Sequence, residues 1–366
     1  MNKSKVYYID FRADDSENIL QKLDRLMRKA GIDKIDFQNR FAALKVHFGE
    51  KGNLAYLRPN YAKVVVDAVL QRGGRPFLTD CNTLYTGYRK NALEHLDTAY
   101  LNGFNPFATG CQILIADGLK GTDEVVVPIK GEVLKSAKIG RAIMDADIII
   151  SLTHFKMHEC AGVGGVVKNL GMGCGSRSGK MEMHSDGKPQ VNHKACIGCG
   201  SCAKNCGQNA ISIKNKKATI HEEICAGCGR CIGACPVDAV EPLYDSPNDK
   251  LNKKIVEYAL AVVQNRPQFH LSFVMDVSPF CDCHFSHDRA VVPDVGIFAS
   301  VDPVALDLAC AEIINKQPIC EDSVLAPFKG SPDYFNAFHP TTNWRSMIEH
   351  GVRVGLGSDQ YDLIKI

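Results

Sequence analysis

Cys196-Ile197-Gly198-Cys199-Gly200-Ser201-Cys202-Ala203-Lys204-Asn205-Cys206 recurs 29 residues later as Cys225-Ala226-Gly227-Cys228-Gly229-Arg230-Cys231-Ile232-Gly233-Ala234-Cys235, followed by Pro236. Each copy reads C-x2-C-x2-C-x3-C, the bacterial ferredoxin run that holds a [4Fe–4S] cluster on thiolates. The register continues beyond the cysteines, because Ala210-Ile211 matches Ala239-Val240. The stretch is therefore an internal repeat. Three cysteines at this spacing wrap one face of a cubane. The fourth follows too closely to close on the same cubane and reaches the other cluster. The spacing assigns Cys196, Cys199, Cys202 and Cys235 to one cluster, and Cys225, Cys228, Cys231 and Cys206 to the second. Glycines at 198, 200, 227 and 229 let backbone N–H groups approach the sulfurs. The competing readings are a zinc ribbon and a disulfide framework. Zinc ribbons separate two CxxC pairs by a long loop, and disulfides are rare in cytosolic chains, so both fit poorly. Gly207 stands where the second copy has Pro236, a difference in turn geometry only.

Around this unit the chain alternates strand and helix. Before it, strands are expected at Lys5–Ile9, Phe41–Phe48, Pro76–Thr79, Gln112–Ala116, Glu124–Val127 and Asp147–Leu152. Helices are expected from Ser16 to about Lys29, over Pro59–Gln71 with glycines after its end, and over Ser136–Met144. Residues 153–190 are rich in Gly, Met, His and Lys and read as a long functional loop. After the unit the pattern resumes with a helix at Asn248–Gln264, strands at Leu271–Val277 and Gly296–Ala299, and a helix at Asp302–Asn315. The expected fold class is α/β, a largely parallel or mixed sheet flanked by helices, interrupted by a small α+β two-cluster ferredoxin domain. The expected division is 1–190, 191–241 and 242–366, with the first and third parts forming one body.

The chain has 366 residues, 45% hydrophobic, ample for a sizeable core. Its 43 basic and 41 acidic residues leave a net charge of +2, so no strong field points to nucleic acid or an anionic membrane. No apolar run is long enough to span a bilayer. The first ten residues turn to charge too soon for a signal peptide, which makes the cytoplasm the expected location. Sixteen cysteines in such a chain speak for metal or redox chemistry.

Two further segments carry chemistry. Ser151-Leu152-Thr153-His154-Phe155-Lys156-Met157-His158-Glu159-Cys160 runs on to Lys168, Asn169 and Cys174 from the end of an expected strand. An open α/β sheet gathers its ligands there. His154, Lys156, His158, Lys168 and Asn169 suit an anionic or carbonyl-bearing group, with His154 or His158 as acid or base. The bland alternative is a solvated loop. The second segment is Asp276-Val277-Ser278-Pro279-Phe280-Cys281-Asp282-Cys283-His284, with His287 after it. Cys281, Cys283 and His284 could ligate a metal, form a redox thiol pair or pack inertly. His95 reads as a helix-face residue rather than a ligand.

The flanks resemble the proteins grouped as domain of unknown function 362. The resemblance rests on Thr79-Asp80-Cys81-Asn82-Thr83, Ser151–His158, Gly164–Gly171, Asp276–His284 and Ala299–Ala305, and covers about 1–190 and 241–366. Many members are similar in carrying a two-cluster ferredoxin unit, and no activity comes with the likeness. A remote likeness to the α/β fold of nickel-dependent lactate racemases brings no catalytic motif that maps here. The combined expectation is a ferredoxin-coupled oxidoreductase passing single electrons between two [4Fe–4S] clusters and a substrate or metal site in the α/β body, served by a redox partner protein. The α/β site would take a small anionic substrate or a further metal. The alternatives are a non-catalytic electron-transfer or assembly protein docking a partner enzyme, and a non-redox enzyme with structural clusters.

Overall fold

A computed structural model describes residues 3–85, 87–185, 188–244 and 246–366. Its centre is an eight-stranded sheet in the order Tyr361–Lys365, Ser4–Asp10, Gly296–Ser300, Gln268–Val274, Ile148–His154, Phe41–Val46, Arg75–Asp80, Gln112–Ile115. Only Gly296–Ser300 runs antiparallel to its neighbours, so the sheet is mixed and mostly parallel. Strands from both sides of the cysteine segment share this sheet, because Ile148–His154 pairs with Gln268–Val274.

The central strands are buried on both faces, as parallel strands under helices must be. Ile148, Ile150 and Leu152 join one core with Val65, Val69 and Leu26, while Ile149 faces the other with Leu170, Ile255 and Val304. The helices Ile19–Ala30 and Pro59–Gln71 cover the first face, and Val166–Cys174, Asn248–Val263 and Pro303–Ile314 the second. From Phe41–Val46 the chain builds outward through Arg75–Asp80 to Gln112–Ile115, then returns to lay Ile148–His154 on the other side of Phe41–Val46. That reversal is a topological switch point, and a crevice opens off the carboxyl ends of the strands there.

Several expectations are corrected. Ser136–Met144 is not one helix. Ser136–Gly140 is a strand antiparallel to Glu124–Pro128, and only Arg141–Asp145 is helical. The first helix is capped by Asn18 rather than Ser16, in a capping box with Gln21. The 268–274 strand begins and ends three residues before the expected one. The stretch 153–190 is no structureless loop. It holds a hairpin, Lys156–His158 with Gly162–Gly164, and the helices Val166–Cys174 and Arg177–His184. Its glycines hid the first helix, yet they serve packing. A Cβ on Gly171 would strike the Ile255 carbonyl and lie 2.9 Å from Ile255 Cγ2, on the neighbouring helix. Gly171→Ala is expected to lower stability by about 2 kcal/mol through this overpacking. Chemical denaturation checks it, and an unchanged midpoint would mean that the two helices are free to part.

Within the cysteine segment, Gln190–Val191 pairs with Val240–Glu241, and Ile211–Lys214 forms a hairpin with Lys217–Ile220. No helix among the described residues is long and apolar enough to cross a membrane.

Candidate functional site

The crevice at the switch point holds a cavity of about 630 Å³. His154, Lys156, His158, Lys168, Asn169, Cys281, Cys283 and His284 all line it. His287 does not; its Nδ1 accepts from the Leu54 backbone N–H at 3.0 Å.

One wall is built on Asp282. Its buried carboxylate accepts from His154 Nδ1 at 2.9 Å and from Lys156 Nζ at 2.8 Å. Burial alone would raise this carboxyl, but His154 and Lys156 outweigh it and hold it far below the usual range. The other ring nitrogen of His154 lies 2.8 Å from the Met275 carbonyl. Both nitrogens face acceptors, so His154 is committed to holding this wall. His158 differs. Its Nδ1 accepts from the backbone N–H groups of Cys160 and Ala161, each at 3.1 Å, which leaves Nε2 for Cys281.

Cys281 is held well below the ordinary thiol range by the Cys283 thiol that donates to it, with Lys168 and His158 outweighing burial; Cys283 is pushed up in turn. Lys168 makes no hydrogen bond or ion pair among the described residues, so its ammonium faces the cavity unengaged. Burial would lower its pKa, but Cys281, Cys283 and Glu159 raise it. The metal-ligand geometry differs from the expected set. Ligand atoms of Glu159, Cys283 and His284 lie within 4.8 Å of one another, with Glu159 in the place expected for Cys281.

A second group of lining residues includes Lys45, Glu50 and Arg89, which the sequence did not single out as site residues, beside Asp80 and Asn169, which it did name. Lys45, completely buried in a strand, bridges Asp80 Oδ1 at 3.0 Å and Asn169 Oδ1 at 2.7 Å. Arg89 joins Asp80 and Glu50, each at 3.3 Å. Burial would raise Asp80, but Lys45, His95 and His47 hold it well below the carboxylate range. Asn169 also donates to the Leu152 carbonyl and Thr153 Oγ1, so it positions Lys45 rather than standing free. His95 is wholly buried, packed edge-on to Phe48 and 3.7 Å from Asp80. A lysine inside the apolar run Ala42-Ala43-Leu44-Lys45-Val46 was the available signal.

The cysteine segment abuts the cavity. Cys196, Cys199, Cys202 and Cys235 together line one small hollow, with Pro236 and Val240. Backbone N–H groups point at sulfurs in both copies: Ala218 to Cys196 at 3.4 Å, Ala210 to Cys206 at 3.3 Å, Gly227 to Cys225 at 3.4 Å and Ala239 to Cys235 at 3.2 Å. Gly198, Gly200, Gly227 and Gly229 all have φ between 65° and 79°, the left-handed region that turns the loops. Four thiols around one hollow, with backbone donors at the sulfurs, are a donor set of the kind a [4Fe–4S] cluster takes. Leu84 lines the cavity and belongs to the same buried cluster as Cys196, Cys202, Cys231 and Cys235; its Cδ1 lies 3.3 Å from where a Cβ on Gly229 would be. The helix Arg177–His184 spans the same junction, with Arg177 against Gly229 and Lys180 and His184 at the cavity.

The family model described as domain of unknown function, DUF362, matches residues 42–312. The chain belongs to this family. No curated protein matches it. Solved structures similar to this DUF362 chain include the lactate racemase apoprotein from Thermoanaerobacterium thermosaccharolyticum, 11% identical with a TM-score of 0.37, covering 75% of this chain and 51% of that one. A protein from Thermotoga maritima is 11% identical with a TM-score of 0.36, covering 92% of this chain and 58% of the other. The DUF362 chain thus spans little more than half the length of either.

Proposed function

We propose that this DUF362 protein is a ferredoxin-coupled oxidoreductase, in which residues 191–241 form an inserted two-cluster unit serving the cavity at the switch point. Cys196, Cys199, Cys202 and Cys235 would hold one [4Fe–4S] cluster, and Cys225, Cys228, Cys231 and Cys206 the other. Such clusters supply or accept single electrons. The observation that carries the reading is Leu84, which touches the second cysteine loop on one side and the cavity on the other. A pure electron carrier needs no cavity of about 630 Å³ beside its clusters, so the docking-protein alternative is the weaker one.

In the cavity, Lys168 attracts a small anion, and His158 is the group placed to hold or move a proton at Nε2. His154 and Lys156 fix Asp282 and with it the 281–284 turn. A metal on Glu159, Cys283 and His284 is the second reading of that turn, favoured by their convergence. On the outside, Ile197 and Ile224 are 59% and 48% exposed beside the exposed Cys199 and the Cys225 loop, an apolar rim suited to a redox partner protein.

Cys235→Ala tests the ligand assignment. It is expected to abolish the cluster of Cys196, Cys199 and Cys202 and to spare the one whose loop lies next to it in sequence, as read by electron paramagnetic resonance of the dithionite-reduced protein. Loss of the Cys225–Cys228–Cys231 cluster instead would overturn the crossed arrangement.

A further inference from the structure

Arg177 enters the cysteine segment from the α/β body. Its side chain is 1% exposed. Nη2 donates to the Lys90 carbonyl, but Nε and Nη1 have no hydrogen-bond partner among the described residues. Two vacant donors on a buried guanidinium are costly and call for an acceptor. Asp117 is near, yet its Oδ2 is also without a hydrogen bond, so the two do not satisfy each other.

The surroundings indicate where the acceptor belongs. A Cβ on Gly233 would fall on the guanidinium, and one on Gly229 would lie 3.2 Å from Arg177 Cγ. These two glycines bracket Cys231, so the vacant donors sit at the loop that carries Cys228 and Cys231. The first copy has no counterpart. Twenty-nine residues earlier, Gly233 becomes Lys204, whose side chain is exposed, and a Cβ on Gly200 would meet nothing within 4 Å. Lys217 stands at the first copy, but its Nζ donates to the Cys196 carbonyl at 2.6 Å, whereas Arg177, like Arg230 Nε in the second copy, leaves buried guanidinium donors unpartnered; the asymmetry lies in those vacant donors.

We infer that Arg177 donates to the cluster of Cys225, Cys228, Cys231 and Cys206 and makes it the higher-potential member of the pair, so that a single electron delivered by a reduced partner protein, which is thereby oxidised, passes from the other cluster to this one and rests there. The inference rests on the two-cluster reading above. Its physical basis is that reduction adds negative charge to a cubane, and a buried cation with N–H donors stabilises the more negative state. Leu84 lies against Gly229 of this cluster's loop and lines the cavity.

The test uses full-length protein prepared anaerobically, as wild type, Arg177→Met and Arg177→Lys, with iron and sulfide counted before redox titration followed by electron paramagnetic resonance. In Arg177→Met, with iron and sulfide at the wild-type level, one cluster is expected to need at least a tenfold higher reductant-to-oxidant ratio for half reduction, about 59 mV downward for a one-electron couple. The other cluster should not move. Arg177→Lys should fall between the two proteins, and Cys228→Ser should perturb the same signal that Arg177→Met shifts. Unchanged potentials at full iron content, or equal shifts of both clusters, would overturn the role of Arg177. If Arg177→Met does not fold, an Arg177→Lys protein with wild-type potentials at both clusters would overturn it too. Wild-type protein without sulfide would instead sink the two-cluster reading itself, and the inference with it.

Discussion

Asp282→Asn will cost about 3–5 kcal/mol of unfolding free energy, because it strips the counter-ion from the buried Lys156 and disturbs the buried hydrogen bond of His154 at once. His154 Nδ1 and Lys156 Nζ both lie within 2.9 Å of the Asp282 carboxylate, and all three side chains are buried. An asparagine can accept one of these hydrogen bonds but carries no charge, and its amide group would face a cation. Asp276→Asn is the control. Asp276 pairs with Arg58 at 3.0 Å, but the two side chains are 40% and 56% exposed, so water takes over and the loss should stay below about 1 kcal/mol. Urea denaturation of both variants checks the contrast. Equal small losses would mean that water reaches the Asp282 wall. Since the folded pKa of Asp282 lies below its unfolded value, the stability it contributes is present above the ordinary carboxylate range. It is lost only as pH falls through the lower folded value.

Acid will therefore act first through histidines. Burial pushes His95 down to about 4, and His184 and His270 down to about 3. His270 is built as a neutral ring, with Ser151 Oγ 2.9 Å from Nδ1 and the Gln268 side-chain oxygen 2.8 Å from Nε2. In the unfolded chain each takes up a proton near pH 6.5. The unfolded state then binds more protons than the folded one, so stability from these groups is complete above about pH 6.5 and declines as pH falls toward the folded values. The expected slope is about 1.4 kcal/mol per pH unit for each histidine. Denaturation midpoints from pH 7 to 5 measure it, and His95→Gln should flatten the profile. A midpoint that is constant over that range would contradict the neutral, buried state of these rings.

What could be read from the sequence follows the range of the physics involved. The repeat is local, so the doubled cysteine spacing on which the cluster proposal rests can be read directly from the sequence. The α/β alternation is also local, and five of the six strands expected before the cysteine segment enter the main sheet. The Glu124–Pro128 strand instead pairs with Ser136–Gly140 in a small separate sheet. The segments from His154 to Asn169 and from Cys281 to His284 stand out by density at strand ends, and His154, Lys156, His158, Lys168, Asn169, Cys281, Cys283 and His284 from them line one cavity. The contacts that give these side chains their roles could not be read because they are long-range. Lys45 acquires meaning only through Asn169, 124 positions away, and Asp282, within a segment the sequence does mark, only through His154, 128 positions away. The Val166–Cys174 helix was missed because Gly171 and Gly173 lower helix propensity. Close packing against Ile255 and Lys45 requires glycine at both positions. The Tyr361–Lys365 edge strand, largely exposed, has too weak an apolar pattern to be read and is defined by its pairing with Ser4–Asp10.

The central claim is that residues 191–241 carry two [4Fe–4S] clusters beside the cavity. Iron and acid-labile sulfide determined on anaerobically purified full-length protein test it most directly. Two four-iron clusters require eight of each per chain. Stoichiometric zinc with no sulfide would contradict the account.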